Sequence, residues 1–189
     1  MSSYSEGQTH LLMDSLEAKG WSADDVTKLG QAKSEQHLAF RDVLNGRAVI
    51  SYPQHLIDCD ALPYCPDGWE VVEHRKHGQL QWDPTRIRLH LSKKQMDGKV
   101  IEGNKLRKEL EGLPVMNANV LDYLLKHTEL IPDEYKGKAV FFWGTIYRRS
   151  DGRLYVRCLF WDGGKWDWRY RWLGYGFDGS NPAAVSASI

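Results

Sequence analysis

The sequence predicts an α+β protein: an N-terminal three-helix segment, then a mixed domain dominated by an antiparallel, aromatic-rich β-meander. Three observations point there. Three short stretches before residue 47 each run into a glycine, at Gly20, Gly30 and Gly46. A leucine stripe recurs at helical spacing around residues 120–125. Beyond residue 139, "AVFFWGTIYR", "RLYVRCLFW" and "KWDWRYRW" follow one another with turn residues between them. The last of these places Trp166, Trp168, Tyr170 and Trp172 at every second position, which is strand spacing and sets the rings on one face.

Within residues 1–46, "HLLMDSLEAKG" carries Leu12 and Leu16 four apart and stops at Gly20, a natural C′ residue. "SADDVTKLG" opens at Ser22 with Asp25 three residues on, a capping box with Asp in place of Glu. "SEQHLAFRDVLNG" begins at Ser34 and ends at Asn45-Gly46. Trp21 is expected to be the core residue shared by the first two helices. The segment lacks the basic recognition helix of a helix-turn-helix, which argues against DNA reading.

Residues 47–68 hold Pro53, Pro63 and Pro66 and read as a loop-rich connector with an edge strand at "RAVIS". The α+β domain then spans 69–174. "WEVVEH" and "RIRLHLS" read as two strands joined by a polar turn, and "GNKLRKELEG" as a helix. "NANVLDYLLKH" is a second helix, capped at Asn117, with Val120, Leu121, Leu124 and Leu125 as its apolar stripe. Residues 175–189 are turn-rich and small, and read as an irregular tail.

Turn chemistry fixes the meander's register. A two-residue loop at Gly163-Gly164 sets Trp161 opposite Trp166, Leu159 opposite Trp168, Arg157 opposite Tyr170 and Tyr155 opposite Trp172. A three-residue loop at Ser150–Gly152 pairs Tyr147 with Tyr155, and Trp143 with Leu159. One face then carries Phe141, Trp143, Tyr147, Tyr155, Trp161, Trp166, Trp168, Tyr170 and Trp172 around Arg157. The other carries Val140, Phe142, Ile146, Val156 and Cys158, with the 120–125 helix as its expected cover. Rings exposed in that number form a costly apolar patch on a soluble chain, so the face is either covered, by the N-terminal helices or the tail, or used.

Charge supports a selective use. Net charge is zero over 189 residues, against a dedicated duplex-DNA binder, but from residue 139 onward seven Lys/Arg stand against four Asp. The candidate ligand-binding residues are therefore Trp143, Tyr147, Tyr155, Arg157, Trp161, Trp166, Trp168, Tyr170 and Trp172. Single-stranded nucleic acid, whose bases stack on such rings while Arg meets phosphate, is placed ahead of a glycan or a peptide. The pattern echoes, without matching, the aromatic positions of RNA-recognition sheets.

Other chemistry is sparse. No phosphate-cradling Gly-rich loop, nucleophile elbow, HExxH or paired CxxC occurs. His55, Cys59 and Cys65 match no common zinc spacing. "EHRKHG" sets His74 and His77 around a basic turn, the one place where an enzymatic site is weighed. No catalytic residue, metal or cofactor is assigned. Three cysteines exclude a fully paired disulfide framework, and the start has no basic n-region or apolar h-region, so a cytoplasmic protein without a membrane span is expected.

The run from Gly103 to Trp161, "GNKLRKELEG…GRLYVRCLFW", is similar to a family of small uncharacterised bacterial proteins. The resemblance implies a bacterial soluble domain and carries over no site residue. The sequence thus supports a non-enzymatic binding protein, monomeric or homodimeric, using its aromatic and Arg-bearing sheet face. A protein-partner-binding adaptor or inhibitor is the alternative, and an enzyme with a site near His74–His77 the third reading.

Overall fold

The computed structural model describes residues 4–49 and 55–187, in two compact units, Met1–Pro53 and Gln54–Ile189. In the first, α1 (Glu6–Ala18), α2 (Ala23–Gly30) and α3 (Ser34–Leu44) form the three expected helices. Ser5 with Gln8, and Ser22 with Asp25, complete reciprocal capping boxes. Gly20 (φ 81°) and Gly46 (φ 68°) take the left-handed turn after α1 and α3. None of the helices has a buried residue. Trp21 is 37% exposed and is not the expected core residue, because short helices with Leu16, Val26 and Leu29 only half-buried enclose too little volume to seal a Trp.

The second unit begins before the expected connector ends. β1 (Leu56–Asp58) pairs antiparallel with β3 (Gln79–Gln81). The edge strand expected at "RAVIS" runs into residues 50–54, outside the described residues. β2 (Glu70–His74) and β4 (Ile87–His90) do form, but not as a joined pair. They pair with β6 (Ala139–Arg148) and β10 (Ala183–Ser186) respectively, since β3 lies between them in sequence and pairs with β1.

β5 (Ile101–Glu102) leads into α4 (Gly103–Glu109), and α5 (Ala118–Lys126) follows its Asn117 cap. β6, β7 (Leu154–Asp162) and β8 (Lys165–Trp172) make the meander, and β9 (Gly176–Phe177) pairs with β5. The main sheet has six strands in the order β4-β10-β6-β7-β8, with β2 also on β6. The segment 175–189 is therefore not irregular: β10 runs parallel to β6 and antiparallel to β4, buried on both faces through Ala183, Ala184 and Val185.

The second hairpin has the expected register, Tyr155 to Trp172 and Trp161 to Trp166 included. The first does not hold throughout. Tyr147 pairs with Tyr155 and Ile146 with Val156, but Phe141 pairs with Cys158 and Val140 with Leu159. Residues 142–145 thus stand against Arg157 alone, a wide bulge centred on Gly144. Its cause is a crossing of backbones: Gly144 N–H donates to Met116 O (2.9 Å), Arg75 N–H donates to Gly144 O (2.7 Å), and a Cβ on Gly144 would sit 2.9 Å from Asn117.

The shift turns the N-terminal half of β6 over. Val140 and Phe142 join Leu159 beneath Val120, Leu121 and Leu124 of α5. Phe141 and Trp143 join Ile146, Val156, Cys158 and Phe177 beneath Leu106 of α4 and Leu110 at its C-cap. α5 thus covers the aromatic face of β7 and β8, not the aliphatic one as the unbroken register implied.

Candidate ligand-binding site

The nine rings and the arginine expected on one face are divided by this geometry. Trp143 leaves the face, 2% exposed and 5.2 Å from the Phe177 ring in the opposite core. Tyr147 stays on it but is fully buried. Trp161 and Trp166 meet edge to face at the far end of the hairpin, with Lys136 over Trp161. Tyr155, Trp168, Tyr170 and Trp172 remain half-buried along β7 and β8.

Part of the cover is the segment 59–69, the end of the expected connector with Trp69 at the head of the expected "WEVVEH" strand. Trp69 lies 4.9 Å from the Tyr155 ring and 4.6 Å from that of Tyr170, and Tyr64 meets Trp168 edge-on at 6.3 Å. The start of this segment is pinned by α5: Asn119 Nδ2 donates to the Asp58 and Ala61 carbonyls, and Asn117 Nδ2 to those of Cys59 and Arg75. Beyond Ala61 it is looser, with Leu62 97% and Tyr64 56% exposed.

Arg157 lies under this cover, 1% exposed. Its Nη2 donates to Asp122 Oδ1 of α5 at 2.7 Å, and its guanidinium lies 4.1 Å over the Trp168 ring. Arg157 Nε and Nη1, with the hydroxyls of Tyr147 and Tyr170, are buried without a well-aligned partner among the described residues, the Tyr147 hydroxyl and Arg157 lying close enough to bond weakly to each other. Buried donors left unpaired cost roughly 1–3 kcal/mol each. Burial pushes the Tyr147 phenol up to about 12, opposed by the nearby Arg157 charge, and raises that of Tyr170 further.

Around the outer strand β8 the surface opens into a groove of about 570 Å³ lined by Arg153, Tyr155, Arg169, Tyr170, Arg171, Trp172 and Tyr175. It has no carboxylate in its lining. Arg153 stacks 4.8 Å over Trp172, and Arg169 stacks 4.7 Å over Phe160. Arg171 donates to the Gly176 carbonyl, which holds it at the groove's base.

The His74–His77 turn is engaged in packing. A carbonyl only accepts, so His74 Nε2–H donates to Cys59 O (3.1 Å), leaving Nδ1 to accept from the Thr145 hydroxyl (2.8 Å). Thr145 Oγ1 in turn accepts from Ala118 N–H. His77 Nε2 donates to Val115 O, and Arg75 Nη1 donates to the carbonyls of Leu110, Glu111 and Leu113 that follow α4. Cys59 and Cys158 are buried, and burial pushes both thiols up to about 11, away from nucleophilic use. No group of three or more His, Cys, Asp or Glu positioned for a metal occurs among the described residues, and no helix there is long and apolar enough to cross a membrane.

Tyr64, Trp69, Asp122, Arg153 and Tyr175 belong to this region and were not singled out from the sequence. Asp122 carried a signal, a carboxylate set against the apolar stripe of α5; the others needed the tertiary fold. In comparisons with known proteins, no protein-family model, curated protein or solved structure matches the chain.

Proposed function

We propose that this is a non-enzymatic, cytoplasmic binding protein that holds an extended anionic ligand, single-stranded nucleic acid, along the groove at β8. The observation that carries this is the lining itself: Arg153, Arg169 and Arg171 alternate with Tyr155, Tyr170, Trp172 and Tyr175, with no carboxylate among them. Flat rings take bases of any identity, and guanidinium groups take phosphates. The groove replaces the continuous ring platform that an unbroken register would have made.

The test is fluorescence anisotropy of labelled single-stranded oligonucleotides at rising salt. Binding should weaken with a log–log slope of about −1.4 if Arg153 and Arg169 meet phosphate while Arg171 stays on the Gly176 carbonyl, since each contact contributes about −0.7 on single strands. Arg153→Ala with Arg169→Ala should flatten that slope. Salt-independent binding, or none, would overturn the reading.

A second reading rests on the N-terminal unit. Leu11, Leu12, Leu38, Phe40 and Leu44 are each at least 41% exposed on helices with no buried residue, which suits docking of a protein partner. Loss of a co-purifying protein on Leu12→Glu with Phe40→Glu, with nucleic-acid binding intact, would favour it.

A further inference from the structure

The four atoms without a well-aligned partner beneath the 59–69 segment lie together. Arg157 faces Tyr170 across the β7–β8 ladder, its guanidinium 5.9 Å from that ring, and the Tyr170 and Tyr147 rings are 5.1 Å apart. Trp168 closes one side at 4.1 Å from the guanidinium, and Tyr64 stands 5.9 Å away. Asp122 already takes Nη2 and offsets the charge. What remains are N–H donors and phenol hydroxyls beside a neutralised ion pair. That set does not suit a second anion, which would stand next to the Asp122 carboxylate. It suits a flat, neutral group bearing carbonyl oxygens.

We infer that Arg157, Tyr147 and Tyr170 form a base pocket that selects nucleobases by an exocyclic oxygen. The inference rests on the nucleic-acid reading and goes beyond it by naming which bases are preferred. Thymine, uracil, cytosine and guanine present such an oxygen; adenine presents none. Tyr64 is the gate. Its half-exposed ring lines a second groove, of about 580 Å³, together with Leu62, Asn119 and Asp122. A base entering from that groove would take the place of the Tyr64 ring, 5.9 Å from the Arg157 guanidinium. Tyr170 contributes to both places, its ring to the β8 groove and its hydroxyl to the pocket.

The experiment compares anisotropy titrations of labelled dT and dA homo-oligomers of equal length on the full chain. dT should bind roughly tenfold more tightly, the discrimination expected of one well-placed polar readout. Tyr147→Phe with Tyr170→Phe keeps both rings and removes only the hydroxyls, so the chain should still fold cooperatively while the dT/dA ratio falls toward one. Tyr64→Ala should tighten dT binding. Equal affinity of the wild type for dT and dA overturns the pocket and leaves the groove reading standing; binding of neither overturns both. A dT preference that survives both in the double Phe variant and in Arg157→Met comes from strand flexibility and also overturns the pocket.

Discussion

Arg157 of β7 and Asp122 of α5 meet at 2.7 Å beneath the sheet's aromatic face, joining the helix to the strand opposite which β6 bulges. Asp122 keeps some solvent contact, whereas Arg157 has almost none.

Asp122→Ala leaves that guanidinium buried and uncompensated. The expected loss is about 3 kcal/mol, the lower end for breaking a buried pair because Asp122 is partly solvated. Urea unfolding of Asp122→Ala, Arg157→Met and the double variant would measure it. Near-additive losses would show that the two residues are not energetically coupled.

Gly144 stands where two backbones cross. Gly144→Ala brings a methyl within 2.9 Å of the Asn117 backbone, which has no free rotamer to yield. A loss of roughly 1–3 kcal/mol, with altered near-UV circular dichroism from Trp143, is expected. Unchanged stability and spectrum would mean the bulge tolerates a wider spacing.

Two tryptophans that sequence placed on one face should behave oppositely. Trp143→Ala empties a site in the sealed core, at a cost of about 3–5 kcal/mol. Trp161, 36% exposed, should cost under about 1 kcal/mol, and its removal should lower the iodide-quenchable fluorescence that it shares with Trp21. Equal losses would contradict the reversal of β6.

His74 links stability to pH. Burial, the largest influence, lowers its pKa below the ordinary His value, so the folded state favours the neutral ring. The unfolded chain takes up the proton first, so stability is fully present above about pH 6.5 and falls as pH drops toward the lowered value. Burial shifts His90 in the same direction. Thermal melts from neutral to mildly acid pH should show the decline, and His74→Gln should shallow it. A variant with an unchanged slope would assign the effect elsewhere.

Much of the architecture was legible because local signals were strong. Ser22 with Asp25, Asn117, and Gly163-Gly164 each fixed a boundary or register by their own chemistry. The bulge was not legible, because its cause is Asn117 pressing on Gly144 from a distant helix start, and alternation alone carries a strand straight through. β10 was missed for a related reason: "AAVS" is small because it is enclosed on both faces, and small residues after a turn-rich stretch give no periodic signal. The candidate site was half legible. Arg157 and its neighbours on β7 and β8 followed from the hairpin, whereas Tyr64 sits in a segment whose prolines say only that it is a loop, and Trp69, at the head of the expected "WEVVEH" strand, carries no sign of which rings it covers.

β10 also sets the order in which the sheet can assemble. Among the described residues, β4, at residues 87–90, pairs with the strand at 183–186, which lies along β6 as well. The β6–β7–β8 meander can zip from its own turns, but β4 must wait for a closure spanning more than half of the second unit. Until then the part of β6 around Phe141 on the margin away from β7, and all of β4, present unpaired backbone, a template for a neighbouring chain. The slow step of folding, and the window in which aggregation competes with it, should therefore belong to β10.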